Sequence, residues 1–307
     1  MSSPARLELF SFPFYAMGSS CMLHLYCPRR GSARIANGAI SEVLRIEARY
    51  SRYRADSVLS AINRVAQHGG SIEVDEETAG LLDYAYSCFR KSDGLFDITS
   101  GILRKAWDFS SARLPDQGTI DDLLPFVGMD KIPWKSPRLT FTLPGMEFDF
   151  GGIGKEYAAD RAAAVCKDLG VEHGLINLAG DISVIGPGPD GQPWPVDINH
   201  PRRPEMSIAD VSIERGSLAT SGDYERFIEV NGKRYCHILD PATGWPASGL
   251  SSVSVAAAQC LVAGSISTIA MLKGDKGAEW LKDLNVPHVW MDEEGRQGGT
   301  MPSLISL

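Results

Sequence analysis

The stretch Leu139–Gly186, LTFTLPGMEFDFGGIGKEYAADRAAAVCKDLGVEHGLINLAGDISVIG, decides the fold class. Leu139 to Leu143 alternates apolar and polar residues, as a half-buried strand does. Met146 to Phe150 looks like its partner strand across a Pro144-Gly145 turn. The apolar spacing then becomes helical. Tyr157, Ala158, Arg161, Ala162, Val165, Cys166 and Leu169 share a face, and Gly170 supplies a stop. Gly174 to Leu178 and Ile182 to Ile185 read as two further strands. Strands in adjacent groups, with a helix between the groups, predict α+β with largely antiparallel sheets and packed helices, not a doubly wound sheet.

Both flanks fit that pattern. Upstream, Cys21 to Tyr26 alternates as a strand, and helical stripes follow at Ile35–Tyr50 and Leu81–Phe89. Leu103 to Pro137 holds Pro115, Pro125, Pro133 and Pro137 and reads as a loop-rich excursion with short helices. Downstream, Phe227–Val230 and Lys233–Ile238 flank Asn231-Gly232, a strong hairpin signal because both turn positions need positive φ. Val253–Ala257 is a strand, Leu261–Leu272 a buried helix, Asp275–Leu284 a surface helix and Val286–Met291 a last strand. Residues 1–307 are expected to form one domain, or two subdomains with the loop-rich insertion at 103–137.

Bulk properties narrow the function classes. The 307 residues are 44% apolar and 22% charged with a net charge of −8, ordinary for a globular chain able to bury a full core. No basic cluster exceeds short runs such as Arg202-Arg203, which argues against nucleic acid. No apolar run is long enough to span a membrane. The six cysteines form no C-x-x-C pair, so zinc and dithiol redox chemistry are disfavoured. Glu8, Ser11 and Pro13 interrupt what a secretory leader would need as an apolar core, so a cytoplasmic location is expected.

Five segments hold residues suited to chemistry. Glu47–Asn63 mixes Tyr50 and Tyr53 with Arg52 and Arg54, which could stack on a flat ring and clamp an anion; alone it is a helix end with an exposed tyrosine. Ser92–Gly101 sets glycines around Leu95, Phe96 and Asp97, in an approach to a ligand or in an ordinary turn. In Phe148–Arg161 an acid, Asp149, is followed by glycines and by Lys155 at a helix start. That is an anion site or a tight strand-to-helix turn, and it is neither a P-loop nor G-x-G-x-x-G. Asp181, after Ala-Gly, is a turn residue or a hydroxyl ligand. Leu218–Ala247 is densely polar at both ends of its hairpin, with His237 suited to proton transfer.

Together these segments resemble the ApbE-type flavin transferases, the FAD:protein FMN transferase family. The resemblance rests on Met17-Gly18, SRYRADSVLSAIN, DGLFDITSG, FDFGGIGKEYAADRA, LINLAGDISVIG, and TSGDY followed by HILDPATGWPA, in that order. It implies the ApbE-like fold and a reaction in which FMN passes from FAD to a Thr or Ser hydroxyl of an acceptor protein while AMP leaves. It also implies a magnesium ion on the pyrophosphate. Carried over by position, Met17, Tyr53, Leu95, Phe96, Asp97, Asp149, Lys155, Asp181, Ile238 and Leu239 would contact FAD. Gly152 and Thr268 would serve the metal, His237 would take the hydroxyl proton, and Asp240 would orient His237.

Two departures stand out. Where the family has a metal-binding aspartate, this chain has Gly264, and Glu156 replaces the glycine after the lysine. A missing carboxylate predicts weaker magnesium binding, because hard cations rely on carboxylate oxygens. Glu156 would either supply the missing charge or point to solvent. Gly264 favours a second outcome, a protein that keeps FAD without transferring it; a third is a hydrolase that splits FAD to FMN and AMP, with water replacing the acceptor hydroxyl.

Overall fold

A computed structural model of the chain describes residues 6–111 and 113–307. Strands β1 (Leu7–Ala16) and β2 (Ser19–Pro28) form a hairpin, followed by helices α1 (Ser32–Tyr50) and α2 (Val58–His68). Strand β3 (Gly70–Glu73) leads to α3 (Glu76–Lys91). A 3-10 turn at Ile98–Lys105 and the short α4 (Gln117–Leu123) carry the chain to β4 (Trp134–Lys135) and β5 (Arg138–Phe141). Helix α5 (Gly154–Asp168) precedes β6 (His173–Leu178), β7 (Asp181–Gly186), β8 (Trp194–His200) and the long β9 (Arg203–Gly222). The hairpin β10 (Phe227–Val230) and β11 (Lys233–Cys236) is followed by β12 (Leu250–Ala257), α6 (Cys260–Leu272) and α7 (Gly277–Leu284). Strands β13 (His288–Asp292), β14 (Gln297–Gly299) and β15 (Leu304–Ser306) close the chain.

The main sheet runs β1-β2-β6-β7-β9-β12-β13-β14, with β8 and β15 also paired to β9. Every pair along that path is antiparallel, and β15 alone runs parallel to its neighbour. The fold is therefore α+β and largely antiparallel. Helices α1, α5 and α6 pack together, and α5 and α6 cover β7, β9 and β12. The opposite face closes over Leu175, Val184, Ile198, Ile213, Leu218 and Ile305. Strand β7 is consequently buried on both faces along its whole length, which is why Asp181 at its first position lies in the interior.

The expected partner strand at Met146–Phe150 is not a strand. Its alternation is real, since Met146, Phe148 and Phe150 all face the core. Side chains of α2 bond its backbone instead of a neighbouring strand. Phe148 N–H donates to Asn63 Oδ1 at 2.7 Å, Asn63 Nδ2 donates to the Phe148 carbonyl at 2.9 Å, and Gln67 Nε2 donates to the Met146 carbonyl at 3.0 Å. Strand β5 pairs with β3 and β4. Strand β1, broken in sequence by Pro13, is an edge strand, the position where a proline's missing N–H is tolerated. The last helix begins at Gly277 rather than Asp275, and the strand expected last begins at His288 and is followed by β14 and β15.

Helices α5 and α6 are locked by one side chain. Gln259, the N-cap of α6, makes no side-chain cap bond. Asp160 of α5 takes its place and accepts from Cys260 N–H at 2.9 Å and Leu261 N–H at 3.0 Å. A carboxylate on free N–H groups at a helix start also suits the helix dipole. Asp160→Ala is expected to lower stability by about 1–2 kcal/mol, read as a shifted denaturant midpoint. An unchanged midpoint would mean that water replaces the cap without cost.

Candidate active site

Lys155 lies in the first turn of α5, after the Gly151-Gly152-Ile153 turn, and Asp181 opens β7. The Lys155 ammonium is 3.1 Å from Asp181 Oδ2. Burial disfavours the ammonium, but the carboxylates of Asp181, Glu225 and Glu156 outweigh it and hold the lysine firmly protonated. For Asp181 the balance is reversed: burial raises its pKa, and Lys155 only partly compensates. Glu156 points inward and is 7% exposed, and its Oε2 has no hydrogen-bond partner. Burial, with Asp181 adding repulsion, pushes its pKa up as well.

The face of α6 opposite this group is shaped for it. A Cβ placed on Gly264 would lie 2.5 Å from Glu156 Cγ and 2.7 Å from Glu156 Oε1. The glutamate therefore lies directly over the glycine, filling the space that an aspartate at 264 would need. One turn on, Thr268 Oγ1 is 3.0 Å from Ser221 Oγ, which also meets Ser267 Oγ at 2.8 Å.

A second group adjoins the first. The Arg52 guanidinium bonds the Asp149 carboxylate and donates to Tyr53 Oη at 2.9 Å. Asp149 Oδ1 also accepts from Gly151 N–H at 2.8 Å, which fixes the glycine turn. Tyr53 is 78% exposed and free to stack on a ligand. Gly152 lies against the Phe96 ring, with 3.4 Å from its Cβ position to Phe96 Cζ. Met17 adopts a positive φ of 53°, and its N–H donates to Glu47 Oε1 at 2.8 Å. Cys21 pairs with Leu178, which pairs with Asp181, so β2 brings Cys21 near the lysine cluster.

Asp97 is occupied within the protein. Its Oδ1 accepts from Thr99 N–H at 2.8 Å and Thr99 Oγ1 at 2.6 Å, and its Oδ2 accepts from Met129 N–H at 3.0 Å. With Leu95, Gly128, Pro241 and Ala242 it lines an open cleft of ≈ 490 Å³, where the segment around Phe96 meets the one after His237.

His237 follows the β10–β11 hairpin. Its Nδ1 is 3.3 Å from the Arg226 carbonyl. A carbonyl only accepts, so Nδ1 carries the proton and Nε2 keeps a free lone pair. The residue is exposed to solvent. Enough protein still lies around it that burial lowers its pKa, with the Arg226 carbonyl and Glu225 partly opposing. The positive charges of Arg226 and Lys155 lower it further. Among the described residues no hydrogen bond joins Asp240 to His237. Asp240 Oδ1 accepts from Ala242 N–H at 2.8 Å, closing the Asp-Pro turn on itself. Ile238 packs on the main core and its carbonyl accepts from Ala247 N–H, while Leu239 turns into apolar clusters beside Leu103 and Ile120. The Arg226 carbonyl and Glu225 carried no sequence signal apart from lying inside the polar hairpin segment. Arg202, read only as a short basic run, makes a bidentate pair with Asp223 at 2.6 and 2.5 Å and fixes the start of that segment.

Residues 17–290 match the ApbE family. The chain belongs to it. Among curated relatives, the FAD:protein FMN transferase of Haemophilus influenzae is 30% identical over 246 residues, covering 76% of this chain and 71% of the relative. That of Salmonella typhimurium is 32% identical over 242 residues, covering 75% and 68%. The crystal structure of the ApbE protein from Thermotoga maritima superposes with a TM-score of 0.87 at 29% identity over 95% of this chain and 97% of that one. The apo flavinyl transferase ApbE of Pseudomonas stutzeri gives 0.84 at 26% identity over 96% and 95%.

Proposed function

We propose that this ApbE-family chain transfers FMN from FAD to a Thr or Ser hydroxyl of an acceptor protein. The observation that carries the reading is the half-buried Lys155 ammonium at the start of α5, directly after the glycine turn and 3.1 Å from the buried Asp181 carboxylate. The acceptor oxygen attacks the FMN-side phosphorus of the pyrophosphate. The bond from that phosphorus to the bridging oxygen breaks, AMP leaves, and a phosphodiester forms. Nε2 of His237 takes the hydroxyl proton. Lys155 and the N–H groups of the glycine turn face the phosphates, where negative charge builds in the transition state. Tyr53 and Met17 are placed to hold the flavin ring, and Arg52 and Asp149 keep the turn in shape.

The family resemblance also implies magnesium. The residues present fit a hard cation through oxygen donors: the Glu156 carboxylate, whose buried Oε2 has no partner, the Thr268 hydroxyl and the Gly152 carbonyl. A bound magnesium would offset charge on the phosphoryl oxygens.

Incubation with FAD, magnesium and an acceptor domain tests the reading. The expected result is an acceptor heavier by one FMN group, with AMP released in equal amount. AMP and free FMN without a heavier acceptor would identify a hydrolase, and no AMP at all would identify a flavin binder. FAD is further expected to bind more tightly than FMN or riboflavin, because the phosphate-facing lysine and the ring-facing Tyr53 act on different parts of the ligand. Flavin fluorescence titration measures this, and equal affinity for riboflavin would remove the phosphate contacts from the account.

A further inference from the structure

The relation between Glu156 and Gly264 changes what the missing aspartate means. Glu156 and Asp160 lie one turn apart on α5, and Gly264 and Cys260 lie one turn apart on α6. Asp160 holds the Cys260 end, and Glu156 lies over Gly264. The two helices thus run antiparallel in a fixed register, with both acids on the facing side. A carboxylate lost from α6 has its counterpart on α5, delivered into the same space. Glu156 Oε2 is buried without a partner. Thr268, one turn beyond Gly264 on the same face of α6, has its hydroxyl fixed by Ser221 at 3.0 Å. Among the described residues no group of three or more His, Cys, Asp or Glu side chains gathers to hold a metal. The donors here are one carboxylate and neutral oxygens, a set completed by a ligand's own phosphate oxygens.

We propose that Glu156 is the metal-binding carboxylate of this chain, reaching a divalent cation across Gly264, and that the glycine is required to admit it. The inference deepens the flavin-transfer reading and rests on it for the pyrophosphate partner. It reverses the sequence expectation that Gly264 leaves the site short of charge. An aspartate added at 264 would collide with Glu156.

The test is Mn²⁺ titrated into the full chain, with and without FAD, followed by loss of the free-ion EPR signal. Glu156→Gln is expected to weaken Mn²⁺ at least about tenfold. Gly264→Asp alone is expected to bind no more tightly than the parent. The double variant Glu156→Gly with Gly264→Asp is expected to recover the parent's affinity, because the carboxylate returns to α6. A second readout is thermal. Mn²⁺ should raise the melting temperature of the parent and of the double variant but not that of Glu156→Gln, whose amide is isosteric and leaves the fold intact. Parent-like Mn²⁺ affinity in Glu156→Gln overturns the proposal, as does a parent that binds no Mn²⁺ under either condition. Fluorescence titration of FAD judges the other reading separately. FAD binding with metal affinity indifferent to Glu156 sinks only this inference, whereas Glu156-dependent Mn²⁺ binding in a chain that ignores FAD leaves the site standing and removes the transferase.

Discussion

His237→Asn should reduce FMN transfer by about 10²–10⁴-fold, the usual contribution of a positioned general base, while FAD affinity stays within a few-fold of the parent. Asparagine can keep a hydrogen bond to the Arg226 carbonyl but has no basic nitrogen to take the acceptor's proton. The pH profile of the parent provides an independent check. A general base works in its neutral form, and burial holds the His237 pKa below the ordinary histidine value of 6.5. Activity should therefore persist as pH falls through 6.5 and decline only below it. The decline should be absent from the residual activity of His237→Asn. An acid limb above 6.5 in kcat/KM would assign the base to another group, and parent-like transfer by the asparagine variant would remove His237 from the chemistry.

Lys155→Met should be the most destabilising single change at the site, at about 3–5 kcal/mol, because it leaves buried carboxylates without their cation. Lys155 is about one-quarter exposed and Asp181 4% exposed, so solvent screens the pair only weakly. The sign with pH follows from Asp181, whose pKa is raised on folding. A raised carboxyl favours the fold below its unfolded pKa, and that contribution is lost as pH rises through the folded value. Removing Lys155 raises the folded value further, so the deficit against the parent should be larger at pH 8 than at pH 5. Urea denaturation at the two pH values measures it. Adding Asp181→Asn should restore much of the loss, and a deficit independent of pH would show that packing, not charge, is responsible.

Much of the fold could be read from local pattern. The stripe from Tyr157 to Leu169 is α5, and Asn231-Gly232 turns the β10–β11 hairpin, because both signals arise within a few residues. The failures have non-local causes. Met146–Phe150 has strand periodicity, yet Asn63 and Gln67 bond its backbone, and no property of the segment announces that. The pairing residues of β9 lie on three other strands and a chain end, so its length was not legible from its own composition. At the site, Lys155 and Asp181 were each identified, but the contact between them depends on α5 packing against β7. The Glu156 and Gly264 departures were both visible in sequence. That they touch required the antiparallel register of α5 on α6. Asp240 uses one carboxylate oxygen to close its own turn, a bond made within two residues.

All six cysteines are free and buried, and burial raises the pKa of each, from Cys21 beside the lysine cluster to Cys260 at the start of α6. Thiolate is the reactive form, so the folded chain presents almost no nucleophilic sulfur to an alkylating reagent. Labelling then proceeds through opening of the structure, and its rate becomes a clock for local and global opening. Cys260, Cys21 and Cys236, the neighbour of His237, lie beside the site while Cys27 does not, so mass mapping of the labelled positions would show which openings a bound ligand suppresses, with no probe added to the protein.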